Sequence, residues 1–166
     1  METTQIFIKT EEKQLKSCSF TGHRELPKDF DIKKLKEVLE DLIKKGVYTF
    51  YNGGAIGFDL LCAEAVISLK KDYPFIKLIL CIPCLNQEKY YTEINKNRYI
   101  EIFNKADEKI YISNTGYFKG CMQKRDVFLV DKADIIVAFL KKETGGTAYT
   151  VNYAKRKYKE KEILFL

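Results

Sequence analysis

The 166-residue chain has no tryptophan, three prolines and one histidine, His23. It also lacks any apolar run near the roughly 18 residues that a membrane-crossing helix needs. The opening stretch from Met1 to Lys16 is polar and mixed in charge, without the apolar core of a secretory signal. These absences point to a cytoplasmic protein with no membrane partner. There is no internal repeat, low-complexity segment or interdomain linker. The expectation is one domain over 1–166, with 1–13 as a disordered stretch or an edge extension.

The single imidazole narrows the metal chemistry. A zinc site would have to combine His23 with Cys81, Cys84 and Cys121, and no second pair has ligand spacing. Cys81-Ile82-Pro83-Cys84 follows a strand, where a thioredoxin-like redox pair would lie. However, too many βα units precede it, and no proline downstream of Pro83 can face the cysteines. The five cysteines are odd in number, and most lie in or beside apolar runs, so buried free thiols are expected. Neither a metal nor a cofactor is expected.

Charge of one sign is in modest excess. The net charge of +6 comes largely from lysine-rich helical faces, such as Lys33, Lys34, Lys36, Lys44 and Lys45, and from the run Lys155 to Lys159. Such runs usually face solvent. No aromatic stacking motif of the RRM or OB type accompanies them, so nucleic acid is the weaker partner reading.

What is present is an alternation of two periodicities. Strands are predicted over Gln14 to Phe20, Val47 to Tyr51, Phe75 to Ile82, Lys109 to Ile112, Ile135 to Leu140 and Glu162 to Leu166. Helices are predicted over about Asp31 to Lys45, Phe58 to Lys70, Gln87 to Asn104, Tyr117 to Asp131 and Thr147 to Lys159. In the first helix Ile32, Leu35, Leu39, Leu42 and Ile43 share one face, and Gly46 ends it. Strands alternating with helices specify an α/β three-layer sandwich around a mostly parallel sheet, with right-handed crossovers.

Three small-residue loops follow strands: Thr21-Gly22-His23-Arg24, Asn52-Gly53-Gly54-Ala55-Ile56-Gly57-Phe58-Asp59 and Thr144-Gly145-Gly146-Thr147. A glycine turn between strand and helix lets backbone N–H groups approach a ligand. It also aims the positive end of the helix at it. Loops from one parallel sheet would converge at the strand carboxyl ends, where an anionic ligand, above all a nucleotide, fits best. Arg24 offers a two-pronged partner for phosphate. Asp59 either caps its helix or bonds a ribose hydroxyl. Thr147 either caps the last helix or donates to a phosphate, and Thr150 lies one turn on.

These pieces together resemble the SLOG superfamily of Smf/DprA and LOG-like proteins, most closely its YpsA-type branch. The matching residues are Thr21 to Arg24, Gly53 to Asp59, Ile82-Pro83 with Gln87, Arg125 with Val130-Asp131, and Gly145-Gly146-Thr147 with Thr150 and Tyr153-Ala154. The resemblance implies a Rossmann-like sheet in a bacterial or phage protein that binds a nucleotide or an ADP-ribose-like derivative. It adds Pro83 and Arg125 to the ligand-facing positions Thr21, Gly22, His23, Arg24, Asn52, Gly53, Gly54, Ala55, Gly57, Asp59, Gly145, Gly146, Thr147 and Thr150.

Within that superfamily LOG enzymes cleave nucleoside monophosphates, using an arginine and a glutamate three residues past the last Gly-Thr. Here Thr150 stands at the glutamate position, and a hydroxyl can neither act as the base nor offset an oxocarbenium charge. The proline that precedes Gly-Gly in LOG proteins is also missing. Asp59, Asp126 and Asp131 are the remaining carboxylate candidates, and the catalytic residues stay unknown. The leading reading is a sensor or sequestering module. A nucleotide N-glycosidase is second and a DprA-like binder of single-stranded DNA third. A homo-oligomer is left open.

Overall fold

The computed structural model describes residues 16–166. The expectation for 1–13, and the part of the first strand placed before Lys16, lie outside the described residues. Six strands, β1 (Lys16–Gly22), β2 (Val47–Asn52), β3 (Lys77–Ile82), β4 (Glu108–Tyr111), β5 (Ile135–Phe139) and β6 (Glu162–Phe165), form one sheet in the order β4-β3-β2-β1-β5-β6. Every pairing in it is parallel. Five helices connect the strands: α1 (Ile32–Lys44), α2 (Phe58–Leu69), α3 (Glu93–Lys105), α4 (Cys121–Lys132) and α5 (Gly146–Lys157). The α/β, Rossmann-like three-layer reading is therefore correct.

Both faces of the sheet are covered, which is why β3 and β5 read as near-continuous apolar runs. Side chains on a strand alternate between faces. Phe20, Leu78, Leu80, Val137 and Phe139 pack into one core with Leu35, Leu39, Leu60 and Val66 of α1 and α2. On the other face Ile79 and Cys81 meet Leu129 of α4, and Ile136 meets Val130 and Ala154. The helices accordingly touch in two sets, α1–α2–α3 and α4–α5.

Two expected helices start later than predicted. The segment from Gln87 is a 3₁₀ turn, Gln87–Tyr90, followed by extended Tyr91, and α3 begins only at Glu93 behind Thr92, whose side chain accepts from Asn95 N at 3.3 Å. Tertiary bonds from Gln87 and Tyr91 to the β2–α2 loop override local helical preference there. The segment from Tyr117 stays irregular until Gly120, in a left-handed conformation (φ 92°), starts α4. Ile32 is 46% exposed because it is the first residue of α1, above the core.

The topology fixes where a ligand can enter. The crossovers from β1 to β4 step outward along one flank of the sheet. α4 then brings the chain back, and β5 pairs with the other side of β1. A crevice opens between the carboxyl ends of β1 and β5, where the winding reverses.

All five cysteines are buried and free. Burial pushes the Cys18 thiol up and Cys81 to about 12. In protein purified without oxidant we expect no Cys81–Cys84 disulfide and very slow reaction with a disulfide reagent. The same titration in denaturant should count five thiols; a fast native reaction would contradict the packing.

Candidate functional site

A cavity of about 380 Å³ occupies that crevice. β1 and the loop after it supply Thr21, Gly22, His23 and Arg24. The β2–α2 segment supplies Ala55 and Asp59, α4 supplies Met122, Gln123, Arg125 and Asp126, and α5 supplies Gly146 and Thr147. Phe20 and Tyr117 complete the wall.

All five helices start at this edge, and the three that contribute to the cavity wall each follow a glycine: Gly57 for α2, Gly120 for α4 and Gly145 for α5. None of the three has a side-chain cap bond. By contrast α1 and α3, away from the cavity, are capped by Asp31 and Thr92. The first N–H groups of a helix have no intrahelical acceptor. In α5 the first such bond is Tyr149 N to Gly145 O at 3.0 Å, which leaves the N–H groups of Gly146, Thr147 and Ala148 without a helical partner.

The two glycine-pair loops differ in what fills them. The Gly53-Gly54 loop is occupied by the protein itself. The Gly53 carbonyl accepts from Arg125 Nη1 at 2.6 Å and from Gln87 Nε2 at 3.2 Å, and the Gly54 carbonyl accepts from the Tyr91 hydroxyl at 2.9 Å. Asn52 closes the turn, accepting from Gly54 N and donating to Asp59 O, each at 2.8 Å. Ala55 N donates to Asp59 Oδ2 at 3.3 Å, so a carboxylate of the chain meets this loop. Gly54 has φ +68°, and a side chain there would start 2.8 Å from the Tyr99 ring. Gly57 has φ +80°, and a Cβ would run into the Arg24 carbonyl. Around Gly145 and Gly146, in contrast, a Cβ would meet nothing within 4 Å.

The sequence-predicted residues therefore divide. Thr21, Gly22, His23, Arg24, Ala55, Asp59, Arg125, Gly146 and Thr147 line the cavity. Asn52, Gly53, Gly54, Gly57, Pro83, Gly145 and Thr150 do not. The first four shape the loop behind the wall, and Pro83 is buried just past β3. Gly145 is exposed at the start of α5, and the Thr150 hydroxyl donates back to Gly146 O at 2.8 Å. His23 lines the wall but also latches it, its Nε2 accepting from Lys141 N at 2.8 Å. That bond puts the ring proton on Nδ1, and burial, with Lys142 nearby, pushes the imidazole pKa down. The sequence does not single out Phe20, Tyr117, Met122 or Gln123 as site residues. The signal for Tyr117 was its place between Gly116 and Gly120, which argues against helix. Among the described residues no group of three or more His, Cys, Asp or Glu gathers to hold a metal ion.

The electrostatics are mixed. Arg125 is 3% exposed; burial works against its charge, but Asp126, bonded to Nε at 2.8 Å, and Asp59 outweigh that and keep it protonated. Asp59 is pushed from an ordinary 3.8 up to about 6, first by burial and then by Asp126, with Arg125 opposing. Ionised Asp59 therefore opposes folding above about pH 6, and this opposition fades as the pH falls toward 4. Asp59→Asn keeps an acceptor for Ala55 N without the charge. It should be more stable than wild type at pH 7.5 by up to about 3 kcal/mol, at 1.36 kcal/mol per pKa unit. The two should converge near pH 4. Urea denaturation at both pH values measures the difference, in which the opposing His23 contribution cancels.

Over residues 25–165 the chain matches the YpsA family model, described as the YspA SLOG family. It is 35% identical over 137 residues to the uncharacterized SPbeta prophage-derived protein YoqJ of Bacillus subtilis, covering 75% of this chain and 80% of that one. It is 31% identical over 131 residues to the UPF0398 protein BH1768 of Halalkalibacterium halodurans, covering 77% and 69%. Among solved structures it is similar to DNA processing protein A (DprA) from Streptococcus pneumoniae, with TM-score 0.70 at 16% identity, over 92% of this chain and 50% of that chain. It is also similar to DNA processing protein A from Helicobacter pylori, described for its single-stranded DNA binding mode, with TM-score 0.64 at 18% identity, over 90% and 64%. At these identities the likeness is one of fold, and the chain spans less than two thirds of either solved protein.

Proposed function

The chain belongs to the YspA SLOG family, and from that premise we propose that it binds a nucleotide or an ADP-ribose-like derivative at the carboxyl edge of the sheet, as a sensor or sequestering module. The observation that carries this reading is the meeting of three helix N-termini without side-chain caps around one cavity beside Arg24. Such ends favour negative charge. The phosphate belongs at α5, where the N–H groups of Gly146 and Thr147 have no helical partner, with Arg24 lining the same cavity as its charged partner. Asp59 and Asp126 would repel a second anion, but they accept hydrogen bonds from sugar hydroxyls. A ligand with a negative end and a hydroxylated middle matches that pattern.

A nucleotide N-glycosidase is the second reading, favoured by the two carboxylates on the wall. Thr150 cannot supply the missing base, since its hydroxyl is held by Gly146 O. A strand of DNA is the third, and its support is the fold likeness to DNA processing protein A.

Calorimetric titration with a nucleotide panel tests the binding reading. Gly146→Asp should abolish binding while the fold survives, because the position is open but the new carboxylate meets the α5 N-terminus. Arg24→Ala should weaken binding about tenfold or more, the loss of a charge-assisted bond of about 1.5–3 kcal/mol. Chromatography of the incubated nucleotides should show no released base. Turnover of order 1 per second would move the assignment to the glycosidase reading.

A further inference from the structure

A second hollow, of about 560 Å³, adjoins the first and shares Arg24, Ala55, Tyr117 and Met122 with it. The chemistry changes across that seam. The first hollow is ringed by helix ends and carboxylates. The second is walled by Ile56, Leu85, Tyr90, Tyr91 and Tyr117. Tyr91 is a fixed wall: its hydroxyl is tied to the Gly54 carbonyl, and its ring meets Tyr99 edge-on at 5.9 Å between centroids. One ring is unoccupied. Tyr117 is 71% exposed and, among the described residues, has neither an aromatic neighbour nor a cation over its face. Tyr90 is 86% exposed, but Lys89 Nζ lies 5.4 Å from its ring centroid.

Building on the anion-binding reading above, we propose that this second hollow receives the planar base of the same ligand, stacked on Tyr117. The ligand class is then a nucleoside 5′-phosphate or a larger molecule containing one, rather than a sugar phosphate or inorganic pyrophosphate. The base lies between Tyr117 and the Tyr91 wall, the ribose crosses the seam beside Arg24 and Asp59, and the phosphate reaches the N-terminus of α5. Stacking of a base on an aromatic side chain contributes about 1–3 kcal/mol, and 1.4 kcal/mol is about tenfold in affinity.

The experiment compares adenosine 5′-monophosphate, ribose 5-phosphate and an oligothymidylate on the wild-type protein, Tyr117→Ala and Gly146→Asp. The mononucleotide should bind the wild type about tenfold or more tightly than ribose 5-phosphate. Tyr117→Ala should bring the mononucleotide down to the level of ribose 5-phosphate, so that this variant binds the two alike. Gly146→Asp should lose both. The fluorescence of 2-aminopurine riboside monophosphate should be quenched by the wild type and not by Tyr117→Ala. Equal affinity for mononucleotide and ribose 5-phosphate would overturn the base subsite and leave the anion site standing. Binding of neither would remove the anion site, and the base subsite with it. An oligothymidylate that binds far more tightly than the mononucleotide, with a steep salt slope and loss in Tyr117→Ala, would reassign the hollow to a nucleic-acid strand.

Discussion

A single guanidinium, buried under the carboxyl edge of the sheet, holds the site together. Arg125 belongs to α4, which covers one face of the sheet, while Gly53 opens the loop into α2, which covers the other. The bond from Arg125 Nη1 to the Gly53 carbonyl spans that divide. A charge so deeply buried must be matched, and Asp126 and Asp59 match it. Without the guanidinium, two carboxylates would face each other and the β2–α2 loop would be untied. The cavity wall is thus the outside of a charge-balanced cluster. That is why Arg125 lines the cavity and yet directs most of its bonds inward; its remaining nitrogen, Nη2, meets only the Met122 sulfur at 3.9 Å.

Much of the fold was legible because it rests on periodicity. The apolar runs of β3 and β5 and the one-sided pattern of α1 carry the layer order directly. The site was legible only as a location. Glycines at Gly53, Gly54 and Gly145, Gly146 say that something approaches the backbone closely, but not what approaches. At the first pair it is Arg125, Gln87, Tyr91 and Tyr99, brought from residues far along the chain. At the second pair it is only the Thr150 hydroxyl, one turn on, which bonds the Gly146 carbonyl. No local signal distinguishes these two cases, because the difference is made by tertiary partners. The same reason explains the late start of α3: the bonds of Gln87 and Tyr91 to the glycine loop lie outside the reach of any local pattern.

The mixture of charges on one wall limits what can enter. Helix ends and Arg24 favour negative charge, whereas Asp59 and Asp126 disfavour it, and Asp126 reaches to 3.5 Å from the Thr150 hydroxyl of α5. Such a wall orients a polarised ligand more strongly than it grips a symmetrical one, because turning the ligand end for end would set negative charge against carboxylate.

The openness of the β5–α5 loop has an evolutionary consequence. The β2–α2 loop is committed on every side, so a change there disturbs the fold. The stretch 141–144 touches the scaffold chiefly through the Lys141 latch to His23, while β5 itself is held in register by β1 and β6. Selection can therefore rewrite the loop, in length or in charge, without touching the part of the molecule that must fold. Relatives that share this frame are free to diverge in what they recognise, and the differences should collect in this one exchangeable segment.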